Sequence, residues 1–242
     1  MTATKIISID NPKSPIAEAY RTLRTNIQFS SFDKELKSIV VTSSGPGEGK
    51  TTTVCNLAVT MAQSGSKVLL LDCDLRKSQV HKYFGLNNSQ GLTTVLAKHL
   101  PLQEAIKQTN VIGLDILTSG PKPPNPAELV GSNAMKEFIQ QMTHEYDRVL
   151  IDAPPVGVVT DAALLSTVAD GSILVVAAGQ VGIEAAQRAK SLLDKVNANI
   201  IGVLLNKIPI EGKGYYGYYY YHYYEDEDTS IIKTKGKKRR RK

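Results

Sequence analysis

SIVVTSSGPGEGKTTT, residues 38–53, runs from an apolar, β-branched stretch into a glycine-bearing loop and then into Gly49, Lys50 and Thr51. A strand, a glycine loop and a helix start in that order make an anion site. Loop N–H groups and the positive end of the helix converge on phosphate oxygens. Lys50 is placed to neutralise phosphate charge, and the Thr51 hydroxyl to ligate Mg²⁺. The usual pattern GxxxxGK[ST] has its first glycine where this chain has Ser44; Gly45 and Gly47 still allow close backbone approach.

Around this loop, short apolar runs alternate with helical stretches: 38–42, 67–72, 114–118, 148–152, 172–177 and 200–206. That alternation predicts βαβ units in a doubly wound, mostly parallel α/β sheet over residues 38–208. Near-continuous apolarity suits strands buried on both faces. Helices are expected over 52–65, closed by Gly65, and over 183–198. RVLIDAPP ends a strand on Asp152, the place of a metal-organising carboxylate in a nucleotide site. KVLLLDCDLRK puts Asp72 and Asp74 two positions apart at another strand end, on one face, with Arg76 as a possible ion-pair partner. Two carboxylates there could divide the work of holding a metal and accepting a proton.

Residues 1–37 read as an extension carrying a helix over 14–30. Ser14 would cap it, Pro15 suits its first turn, and Ile16, Tyr20, Leu23 and Ile27 form its apolar stripe. Beyond residue 208 no hydrophobic period of either kind remains, so 209–242 is expected to be a flexible tail. Eight of the ten positions from Tyr215 to Tyr224 are tyrosine. Glu225 to Asp228 then carry −4, and the Lys/Arg residues from Lys233 to Lys242 carry +8. The net charge of +6 therefore belongs mostly to the tail rather than to a binding face of the body. Cys55 and Cys73 lack metal-ligand spacing and fit a reducing compartment. No run approaches the roughly 20 apolar residues of a membrane span, and the N-terminus lacks a signal-peptide core, so a cytoplasmic location is expected.

PGEGKT (46–51), DxDxR (Asp72, Asp74, Arg76), IDAPP (151–155) and the tyrosine cluster together resemble the bacterial protein-tyrosine kinases, or BY-kinases. The likeness is to the Gram-positive cytoplasmic type that regulates capsule or exopolysaccharide synthesis. It extends from the N-terminal helix to the tail and includes TSGPKPPNPAEL (118–129); Ser78 stands where the family has proline. The resemblance implies a three-layer α/β/α P-loop NTPase of the deviant-Walker, MinD-like kind, working with ATP and Mg²⁺. It implies nucleotide contacts from Gly45, Gly47, Glu48, Gly49, Lys50, Thr51 and Thr52, and a metal held by Thr51, Asp72 and Asp152. Lys50, Asp72, Asp74 and Asp152 would be the catalytic group, and Asn206, with Lys207 beside it, would lie where related ATPases contact adenine.

The same resemblance reads Glu18, Arg21 and Arg24 as an ExxRxxR oligomerisation motif. It implies a ring in which one subunit's tail enters its neighbour's site, with Tyr215, Tyr216, Tyr218, Tyr219, Tyr220, Tyr221, Tyr223 and Tyr224 as acceptors. Further implied partners are a separate transmembrane activator that recruits the chain to the inner membrane face, a cognate tyrosine phosphatase and protein tyrosine substrates. A positioning or partition-type ATPase is the rival reading, but those proteins carry a signature lysine where this chain has Gly45. Nucleic acid is not an expected partner, because an acidic block separates the tyrosines from the basic run.

Overall fold

The computed structural model describes residues 5–30 and 35–209. The tyrosine cluster and both charge blocks of the tail lie outside the described residues. The described residues up to Lys207 form one compact unit. Along it run α1 (Ile7–Asp10), α2 (Pro15–Phe29), β1 (Ser38–Ser43), α3 (Lys50–Gln63), β2 (Val68–Asp72), α4 (Val80–Tyr83), α5 (Leu92–Leu96) and α6 (Leu102–Ala105). They are followed by β3 (Lys107–Gln108), β4 (Leu114–Leu117), α7 (Pro126–Val130), α8 (Asn133–Glu145), β5 (Arg148–Asp152), α9 (Asp161–Ser166), β6 (Gly171–Ala177), α10 (Ile183–Asp194) and β7 (Ile200–Asn206).

The strands form one sheet in the order β3-β4-β2-β5-β1-β6-β7, parallel throughout except for the two-residue β3. Sequence periodicity missed β3, which is too short to show any. β1 is buried along its whole length and lies between β5 and β6. Its alternating side chains feed two cores. Ile39 and Val41 pack with α3 and the N-terminal residues Ile6 and Ile27; Val40 packs on the other face with residues of α8, α9 and α10. Three layers result, helix on sheet on helix, and the crevice at the carboxyl ends of the strands falls beside β1, where chain order reverses. Register completes the placement: Asp72 is the Cα partner of Asp152, and Val41 is another.

Three local expectations are corrected. β7 is apolar in sequence but sits at an edge, with Val203 58% and Leu205 54% exposed, because no described element packs over that part of it. α10 stops at Asp194 instead of 198, and the chain turns through Asn197 in the left-handed region. In α2, the Ser14 hydroxyl accepts from the Ala17 N–H and Pro15 occupies the first turn. Of its expected stripe, Ile27 is buried, Leu23 packs against the same core and Tyr20 is partly buried, but Ile16 is exposed and Ala17 is buried in its place.

Candidate active site

The loop after β1 is shaped from inside. Glu48 is buried, and its carboxylate accepts from the Ser44 hydroxyl, the Gly45 N–H and, at 3.1 Å, the Ala177 N–H at the end of β6. The Glu48 side chain therefore props the loop from below, and only its backbone is left to face a phosphate. Gly49 is required by its backbone, and its missing side chain leaves room for Asn206. Its φ is +94°, and a Cβ there would meet the Asn206 amide nitrogen at 2.2 Å. That amide instead donates to the Glu48 carbonyl at 2.9 Å. Lys207, in the left-handed region, donates from Nζ to the Gly47 carbonyl at 2.6 Å and to Gln180 Oε1 at 3.0 Å. The end of β7 is thus tied directly to the loop.

Lys50 opens α3, and its Nζ reaches Asp74 Oδ2 at 3.0 Å and Asp152 Oδ1 at 3.3 Å. Asp152 Oδ2 accepts from the Thr51 hydroxyl at 2.7 Å. Asp72 is fully buried beside this group, and its carboxylate is held by the N–H groups of Asp74 and Val80, each at 3.2 Å. Asp74 Oδ1 accepts from the Lys77 N–H. One ammonium therefore faces three carboxylates drawn from two strand ends. Burial, and then the charge of Asp152, push Asp72 well above the usual carboxylate range. Burial also outweighs Lys50 and Thr51 and raises Asp152. For Lys50, burial works against the charged form, but Asp152 and Asp74 together hold its pKa above that of free lysine. Arg76 turns away from the aspartates before it and makes a bidentate pair with Asp161, at 2.9 and 3.0 Å, in the first turn of α9.

Thr51, Asp72, Asp74 and Asp152 offer hard oxygen donors, and Mg²⁺ prefers one or two carboxylates completed by water and phosphate oxygens. No group of three or more His, Cys, Asp or Glu that could hold a metal ion by itself is present among the described residues. The residues present fit Mg²⁺ in that form. One neighbour escaped sequence reasoning: the Tyr83 hydroxyl lies 2.6 Å from Thr52 Oγ1. It is 31 residues away along the chain, in a stretch with no chemical motif.

Glu18, Arg21 and Arg24 lie on α2, away from this cluster. Arg21 Nε meets Glu18 at 2.7 Å, and its Nη1 meets the Pro12 carbonyl at 2.9 Å. Arg24 Nη1 donates to the Thr60 carbonyl of α3 at 3.0 Å, while its Nε is buried with no hydrogen-bond partner among the described residues.

A parallel sheet with a phosphate loop after its central strand, and aspartates at the ends of two neighbouring strands, defines a P-loop nucleotide-binding protein of the MinD-like kind. The AAA domain family model matches residues 36–204. MinD of Pyrococcus horikoshii, solved with Mg-ADP, superposes with a TM-score of 0.60 at 27% identity, covering 70% of this chain and 69% of that one. Two further comparisons narrow the class. Tyrosine-protein kinase YwqD of Bacillus subtilis (strain 168) is 48% identical over 213 residues, covering 88% of this chain and 90% of that protein. The crystal structure of the chimerical protein CapA2B2 matches with a TM-score of 0.82 and 40% identity, covering 86% of this chain and 92% of that one. The chain belongs to the bacterial tyrosine-protein kinases, the BY-kinase family.

Proposed function

We propose that this protein transfers the γ-phosphoryl group of ATP to tyrosine, taking the Tyr215–Tyr224 cluster of a neighbouring subunit as its first acceptor, and so regulates capsule or exopolysaccharide synthesis. The observation that carries this reading is the meeting of Lys50 with Asp74 and Asp152, with Asp72 buried at their side. In it the backbone of Gly45, Gly47, Glu48, Gly49 and Thr52 cradles the phosphates, and Asn206 lies on the side of the loop assigned to adenine. Lys50 leaves its carboxylates for the transferring phosphoryl group. Thr51, Asp72 and Asp152 would hold Mg²⁺, which when bound offsets negative charge on the β- and γ-phosphates. Asp72 accepts the phenolic proton. A phenol has a pKa of about 10, so at neutral pH it needs a base, and burial raises the basicity of this carboxylate.

Glu18, Arg21 and Arg24 join neighbouring subunits in this reading, since arginines pair bidentately with carboxylates across an interface. No helix among the described residues is long and apolar enough to cross a membrane. A separate transmembrane activator at the inner membrane face and a cognate tyrosine phosphatase complete the proposed cycle. The test is incubation with Mg·ATP and detection of phosphotyrosine. Wild type should give signal, whereas Lys50→Met, and a variant with the eight cluster tyrosines changed to Phe, should each lose at least about 90% of it. ATP hydrolysis with no phosphotyrosine in wild type would favour the positioning-ATPase reading instead.

A further inference from the structure

We infer that Tyr83 is a positioning residue of the nucleotide site: its phenol donates to the Thr52 hydroxyl and thereby aims the Thr52 proton at the α-phosphate of the bound nucleotide. The inference rests on the reading of the loop as an ATP site.

Thr52 stands in the first turn of α3, two residues after Lys50, where helix N–H groups face the phosphate chain. Lys50 and Thr51 serve the terminal phosphates and the metal, so Thr52 is left for the phosphate nearer the nucleoside. A helical threonine commonly turns its hydroxyl back onto the carbonyl four residues earlier. Here that carbonyl, of Glu48, accepts from Asn206 instead, and the Thr52 hydroxyl pairs with Tyr83. A hydroxyl has one proton to give and two lone pairs to accept with. The phenol, much more acidic than an aliphatic alcohol, is the better donor of the pair. With Tyr83 donating, Thr52 keeps its own proton for an outside acceptor, and two linked hydrogen bonds polarise one another. Burial raises the Tyr83 pKa from its ordinary value, so the phenol keeps that proton across the neutral range.

α4 makes the arrangement firm. The single turn begins at Val80, which is fully buried and whose N–H is held by Asp72, and it ends at Tyr83 on Thr52. It is a strut one helical turn long from the proposed general base to the phosphate loop. Rotation of Tyr83 off Thr52 would leave the threonine free to turn inward.

The test is a double-mutant cycle on the full chain with Tyr83→Phe, Thr52→Val and both together. It reads binding of Mg·ADP and of a non-hydrolysable Mg·ATP analogue, steady-state constants, and thermal midpoints. Tyr83→Phe keeps the ring and so its packing. Loss of one neutral hydrogen bond should weaken both nucleotides about fivefold and raise KM for Mg·ATP by a similar factor. Meanwhile kcat should move less than about twofold, and the double variant should bind no worse than Thr52→Val alone. Binding by Tyr83→Phe within twofold of wild type, losses that multiply in the double variant, or an effect confined to the triphosphate would each overturn the assignment. A wild-type protein that bound neither nucleotide would overturn the underlying ATP-site reading itself.

Discussion

Lys50 has more negative charge around it than it can neutralise, and the effect on stability is testable. Asp72 and Asp152 bind protons more tightly in the fold than in the unfolded chain. Between the ordinary carboxylate range and their raised values the folded state therefore holds more protons, and stability falls as pH rises through that window. Lys50, shifted upward, remains charged throughout it, since its contribution is lost only as pH rises through its raised folded pKa. Lys50→Met should therefore cost roughly 3–5 kcal/mol at pH 8 and less at pH 5.5, measured by urea denaturation at both. An equal loss at the two pH values would refute the uncompensated-charge account. Lys50, Thr51 and the three aspartates were legible in the sequence because strand-end and loop positions dictate where such groups gather. Tyr83 was not, since nothing in HKYFG announces a partner 31 residues earlier. Nor was the inward turn of Glu48, which depends on β6 bringing the Ala177 N–H beneath the loop.

The start of α2 is held by one side chain. Ser14→Ala removes the acceptor for the Ala17 N–H and should cost about 1 kcal/mol. The thermal midpoint should drop by about 2–4 °C. If α2 carries the subunit contact, the same variant should also shift the assembly equilibrium toward smaller species, read by light scattering at matched concentrations. A lowered midpoint with unchanged assembly would separate the cap from the contact. Other elements show where periodicity informs and where it does not. Met135, Phe138, Ile139 and Met142 follow a capping Ser132 at helical spacing, so the signal for α8 was present although the expected helices did not include it. For β7 the composition misled, because an apolar run does not reveal whether its strand will be central or marginal in the sheet.

Charge is the property through which the chain as a whole would switch. Each phosphate adds roughly −1.5 to −2 at neutral pH, so several of them beside Glu225 to Asp228 would make a strongly anionic segment. Such a segment would be repelled from a site lined by Asp72, Asp74 and Asp152. The multiply phosphorylated protein is accordingly expected to elute as a smaller assembly than the unphosphorylated one in size-exclusion chromatography with mass detection. Phosphorylated protein that kept the full mass would exclude this cycle.

The strand order has a further consequence, for the order in which the molecule is made. β1 and β2 are close in sequence, yet they do not pair, because β5 stands between them. Lys50, Thr51, Asp72 and Asp74 all leave the ribosome well before Asp152 does. Until β5 emerges and slides into its slot, the two halves of the site have no strand to join them, and the loop closure this requires spans much of the domain. A nascent chain shorter than residue 152 carries the lysine but lacks one of the carboxylates that position it, so nucleotide binding would begin only once β5 is in place.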